Sequence, residues 1–161
     1  MNSSDRKNAQ SSTQTIALYS RKVGENGPDF VVLHGLFGSG KNWRSFAGSL
    51  EDDFQVWTLD ARNHGASPHA DSMSYQQMAE DVARFFAENE LENVILLGHS
   101  MGGKTAMQLA LQFPDRIAAL IVVDIAPVCY DHLHKQLKLI EAMQELHLVA
   151  EMSRSEIEKK L

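Results

Sequence analysis

Gly98-His99-Ser100-Met101-Gly102-Gly103 follows the apolar run Val94-Ile95-Leu96-Leu97 and precedes a helix-like run from Lys104 to Phe113. A serine held in Gly-x-Ser-x-Gly between a strand and a helix sits on a turn tight enough to strain its backbone. Only small residues fit beside it, which accounts for Gly98 and Gly102. Such a turn lifts the Ser100 hydroxyl above the carboxyl edge of a sheet, where a substrate carbonyl can meet it. The stretch reads as a nucleophile elbow.

Working outward, Thr15 to Val23 reads as a first strand or hairpin arm, closed by the turn residues Gly24 to Pro28. Phe30 to His34 is a continuous apolar run of the buried parallel type, followed by Gly35 to Gly40 and a helix from about Asn42 to Leu50. Gln55 to Asp60 is the next strand, and a polar loop runs from Ala61 to Met73. Ser74 and Gln77 form a capping box that opens an amphipathic helix to about Glu90, with Met78, Val82, Phe85 and Phe86 as its apolar stripe. After the elbow and its helix, Ile117 to Asp124 is the last strand. Alternating strands and helices with fully apolar strands predict an α/β fold: a mostly parallel sheet with helices on both faces.

The bulk properties agree with one such domain. The 161 residues are 43% hydrophobic and 22% charged, ordinary values for a globular protein with a buried core. Twenty-one acidic against 15 basic residues give a net charge of −6, and no Lys/Arg stripe interrupts it, so nucleic acid is not an expected partner. The single cysteine, Cys129, excludes an internal disulfide and fits a reducing compartment; it reads as a packed thiol. Met1 to Ser12 is a polar tail, expected to be disordered and without the apolar core of a secretory signal. The expected location is the cytoplasm, with mitochondrial targeting left open by Arg6, Lys7 and the serines. No run is long enough to span a bilayer.

Three loops follow the carboxyl ends of successive strands, the edge where open α/β sheets place ligands. In His34 to Ser39 the glycines let backbone N–H groups turn towards the elbow. An acyl-transfer intermediate needs two such donors for its oxyanion. The candidates are the N–H groups of Leu36 and Met101; a plain Gly-rich turn is the alternative. In Asp60 to Pro68 the polar groups are expected to bond one another and hold the site rigid, with a catalytic role for Asp60, Arg62 or His64 as the lesser reading. At the third loop, Asp124 is the candidate acid for orienting a base, since the order Ser before Asp is the one such sites use. A structural cap on the Ala126-Pro127 turn is its alternative role.

A rival pattern overlaps the first loop. Gly35 to Lys41 fits the G-x-x-x-x-G-K spacing of a phosphate-binding loop, but Asn42 stands where a Ser/Thr would ligate magnesium. His132-x-His134 is too small a set to predict a metal site. No cofactor is expected.

Taken together, His34 to Ser39 (HGLFGS), Ala61 to Pro68 (ARNHGASP), Gly98 to Met107 (GHSMGGKTAM) and Val123 to Val128 (VDIAPV) resemble the α/β-hydrolase superfamily. In detail they are similar to its small esterase subgroup, typified by bacterial YbfF and mitochondrial relatives. The resemblance runs from about Phe30 to Asp131. It implies hydrolysis of carboxylic esters or thioesters of modest acyl length. Ser100 would be the nucleophile and Asp124 the acid, with Leu36 and Met101 as oxyanion donors. His34, Gly35, Gly98, His99, Gly102 and Gly103 would support them. It divides the chain into a core at 13–130 and the start of a helical lid at 131–161, with Leu133, Leu137 and Ile140 on one helix and a capping box from Ser153 to Glu156.

In the family the catalytic histidine lies after the last strand, beyond the lid. His132, His134 and His147 do not occupy that position. The expectation is therefore a truncated hydrolase of low or no turnover, or else a non-catalytic binding or regulatory fragment. The last strand would then present an exposed apolar edge, open to self-association.

Overall fold

The computed structural model of the chain describes residues 14–128 and, beyond them, residues 137, 138, 140, 141, 144 and 155. The polar tail at 1–12, Cys129, His132, His134, His147 and the Ser153–Glu156 capping box lie outside the described residues. The chain divides into two units, Met1–Pro127 and Val128–Leu161. In the second, the described residues Leu137, Lys138, Ile140, Glu141, Gln144 and Ser155 are helical.

In the first unit the apolar runs form β2 (Asp29–Leu33), β3 (Gln55–Leu59), β4 (Val94–His99) and β5 (Ile117–Val123), preceded by β1 (Ser20–Val23). Their order across the sheet is β1-β3-β2-β4-β5. Only β1 is antiparallel, pairing Ser20 with Leu59; the β2–β3, β2–β4 and β4–β5 pairs are parallel. The sheet is thus mostly parallel, as the alternating pattern predicts.

Side chains alternate across each strand, so a strand covered on both faces is apolar throughout. Val31, Leu33, Leu59, Val94 and Leu96 face one layer, where they meet α2 (Tyr75–Glu88) and α3 (Met101–Gln112) through Ala79, Val82, Phe85, Phe86, Ala106 and Leu109. Phe30, Val32, Val56 and Leu97 face the other, against Ala47 of α1 (Arg44–Leu50) and the flanking Trp43, Phe46 and Leu50. At one end of the sheet β5 breaks this symmetry. Among the described residues it pairs with β4 alone, and Leu120 and Ile121 remain 39% and 40% exposed.

The Ser74/Gln77 capping box is present: Gln77 N–H donates to Ser74 Oγ (3.2 Å) and Ser74 N–H to Gln77 Oε1 (3.0 Å). Two expected boundaries shift. The first strand begins only at Ser20, because side chains rather than a neighbouring strand satisfy the backbone before it. Asp81 accepts the Ile16 N–H, while Arg62 and Arg84 donate to the Gln14 and Thr15 carbonyls. The helix expected from Asn42 opens instead as a 3-10 turn, Gly40–Trp43, and becomes α-helical at Arg44.

Candidate active site

Ser100 stands between β4 and α3 with φ 50° and ψ −111°, a conformation L-residues rarely adopt. Such strain costs about 1–3 kcal/mol and persists only where the surroundings enforce it. Here Ser100 N–H donates to Val123 O of β5 (2.9 Å), and Ser100 O accepts from Lys104 N–H (3.1 Å). The flanking glycines are required by close backbone approach. A Cβ on Gly98 would overlap the Gly102 carbonyl oxygen and lie 2.7 Å from the Gly103 α-carbon. A Cβ on Gly102 would overlap Leu33 O and lie 2.7 Å from His34 O. The elbow is therefore wedged against the end of β2. Gly103 follows, buried in the first turn of α3.

The His34 to Ser39 segment abuts the elbow: the Cβ position of Gly35 lies 3.5 Å from Ser100 Cβ and 2.8 Å from His99 Nδ1. Its N–H groups are spent one after another. Phe37 N–H donates to His64 Nε2 (3.3 Å), and Gly38 N–H to Gly35 O (3.0 Å). Ser39 N–H goes to Asn42 Oδ1 (2.7 Å) and Gly40 N–H to the buried Asp60 Oδ1 (2.7 Å). Among the described residues nothing accepts the N–H of Leu36, nor that of Met101 at the start of α3. A helix N-terminus favours negative charge, so Met101 N–H is well placed to face an anion. The same inventory removes the phosphate-loop reading. A carboxylate already occupies the Gly40 amide that a phosphate would need.

His34 is buried, with its ring at both ends bonded: Nδ1–H donates to Gly35 O (2.7 Å), and Nε2 accepts from Ala61 N–H (3.0 Å). Desolvation by burial pushes its pKa below the usual 6.5, and nearby His64 adds to that; Gly35 O and Asp60 oppose it in part. A neutral, doubly bonded imidazole is a brace. Asp60 also accepts Ala66 N–H (2.8 Å), and its carbonyl accepts the Ser67 hydroxyl (2.6 Å). Arg62 forms a bidentate pair with Asp81 at 2.7 and 2.8 Å, both side chains essentially inaccessible. The Asp60 to Pro68 loop is thus internally bonded, as the sequence reading expects. Asp81 is not singled out by the motifs. Its signal was available: an acid inside the Met78–Phe85 apolar stripe needs a buried cation.

Asp124 follows β5 where His99 of β4 pairs with Val123, so it stands beside Ser100 at the same sheet edge. Its backbone is left-handed (φ 57°) and its side chain 81% exposed, with Oδ2 3.6 Å from His99 Nε2. Among the described residues no histidine nitrogen hydrogen-bonds Ser100, whose hydroxyl has no hydrogen-bond partner there. Nor do three or more His, Cys, Asp or Glu side chains gather where they would hold a metal ion. No helix among these residues is long and apolar enough to cross a membrane.

Residues 28–147 match the family model for the alpha/beta hydrolase fold. A Xenopus laevis relative named sn-1-specific diacylglycerol lipase ABHD11 is 46% identical over 131 residues, covering 80% of this chain and 42% of its own length. Esterase YbfF of Escherichia coli is 38% identical over 118 residues, covering 73% of this chain and 46% of its own. The chain therefore spans less than half of either relative. A solved marine microorganism esterase superposes with a TM-score of 0.84 at 48% identity, covering 91% of this chain and 58% of that one. With its sheet order, its Gly-x-Ser-x-Gly turn and these likenesses, the chain belongs to the α/β-hydrolase fold family.

Proposed function

We propose that the chain carries the nucleophile and oxyanion-binding part of a serine hydrolase acting on small acyl esters or thioesters. The carrying observation is Ser100. Among the described residues its strained, half-buried turn leaves the hydroxyl unpartnered, between two segments whose Leu36 and Met101 N–H groups are unspent. In this reading Ser100 Oγ attacks the acyl carbon, and the carbonyl π-pair moves onto an oxygen held by the two N–H groups. Collapse expels the alkoxide or thiolate, which takes up the serine proton through a base, and water then attacks the acyl-serine by the same route to release the acid and restore Ser100. Asp124 orients that base and stabilises its charge.

The described residues offer Ser100 no imidazole, so they support acyl binding and polarisation more fully than turnover. Loss of a triad member costs about 10⁴-fold or more in rate. Slow hydrolysis is what the described residues would give by themselves. That same observation favours a second reading, a binding or regulatory form without turnover.

Reaction with a fluorophosphonate probe, beside a short-chain aryl ester assay, separates the two. Labelling that is lost in Ser100→Ala supports the hydrolase site, with or without turnover. A folded chain that neither labels at Ser100 nor turns over the ester supports the binding form instead.

A further inference from the structure

Phe37 has φ 61°, and Gly38 N–H closes back on Gly35 O at 3.0 Å. A four-residue turn with positive φ at its third position is a type II turn, where glycine is the favoured occupant. A bulky aromatic residue there is an outlier that something else must hold. What holds it comes from another loop. His64 Nδ1–H donates to Arg62 O (2.9 Å), which fixes the tautomer and leaves Nε2 as an acceptor; Nε2 takes the Phe37 N–H (3.3 Å). The imidazole also lies against the His34 ring, centroids 5.1 Å apart. Arg62 is in turn locked to Asp81 of α2.

We propose that His64 is a positioning residue that clasps the Leu36–Phe37 peptide and so holds the turn whose closing bond, Gly38 N–H to Gly35 O, fixes the peptide carrying the Leu36 N–H beside Ser100. This rests on the oxyanion role given to Leu36 above. Rotating that peptide by a half-turn, the usual escape from a strained type II turn, would bring the Leu36 carbonyl oxygen against the Nε2 lone pair. The clasp therefore excludes the relaxed turn as well as holding the strained one. It also spends the Phe37 N–H, which is then not offered to an anion. The sequence of braces runs from the α2 carboxylate through Arg62 and His64 to the loop.

Two readouts test it in the full chain: hydrogen exchange of the Phe37 amide, and the rate of fluorophosphonate labelling at Ser100. His64→Ala is expected to speed Phe37 exchange about five- to tenfold, the worth of one hydrogen bond. It should slow labelling about ten- to a hundredfold, as a misaimed donor does. His64→Gln, whose amide oxygen can accept the same N–H, should restore most of both. If His64→Ala does not fold, His64→Phe keeps the ring against His34 without an acceptor and replaces it. Unchanged Phe37 exchange in the acceptor-free variant overturns the proposal. So does a labelling loss that His64→Gln shares and that follows melting temperature alone. Should the unaltered chain fail to label at Ser100, Phe37 exchange alone decides whether His64 holds the loop.

Discussion

Replacing Arg62 by Met tests whether the Asp60–Pro68 loop is structural or catalytic. Arg62 makes two bonds to Asp81, at 2.7 and 2.8 Å, and donates to Ser72 O (3.0 Å) and Gln14 O (3.3 Å). The pair's side chains are 1% and 0% exposed, so solvent cannot screen it. Methionine fills much of the volume but strands the Asp81 carboxylate with one described donor, the Ile16 N–H (2.9 Å). Removing one partner of a buried ion pair costs about 3–5 kcal/mol. For a chain of this size that lowers the melting temperature by roughly 10–15 °C. The double variant Arg62→Met/Asp81→Leu leaves no buried charge. Relative to the single variant it forfeits only the Ile16 N–H bond to Asp81, about 1.5–3 kcal/mol at most. It should therefore be more stable than the single variant, a coupling that urea titration followed by circular dichroism measures directly. A single variant within about 1 kcal/mol of the original chain, or a double variant no better than the single, refutes the argument. Loss of Ser100 labelling without loss of stability would restore the catalytic reading of Arg62.

Two further outcomes are expected. Burial holds the His34 pKa below its unfolded value of 6.5, so on acidification the unfolded chain binds the proton first. Stability should be level above about pH 6.5 and fall below it by up to about 1.4 kcal/mol per pH unit, until the folded-state pKa is passed. Urea titrations across pH 7.5 to about 5 should show this slope, and His34→Gln should reduce it; equal slopes would remove His34 as the cause. We also propose that the β5 edge, with Leu120 and Ile121 exposed, pairs with a second copy of the chain. Sedimentation velocity should detect dimers that Ile121→Lys abolishes, and a monomer at high concentration would exclude them.

How much of this was legible beforehand depends on the distance over which each feature is decided. The strands and α2 were readable because an apolar run, a capping box and an i, i+3/i+4 stripe lie within a few residues of one another. The first strand was overextended for the opposite reason. Residues 14–16 look extended locally, but their backbone groups are bound by Asp81, Arg62 and Arg84 from α2 and the loop before it. Asp124 illustrates a middle case. Its place at the end of β5 follows from the strand run, whereas its nearness to His99 depends on β4 and β5 being neighbours.

The sequence alone determined the layered, mostly parallel architecture and the bend at residue 100, because apolar periodicity and two obligatory small residues are local properties. Tertiary structure decided which loop amides remain unspent. Gly40 gives its N–H to a carboxylate 20 residues away, and Phe37 to an imidazole 27 residues away. Such partners meet only once β3 has come to lie beside β2. Hydrogen bonds between loops are chosen by strand order, and strand order is a property of the assembled sheet.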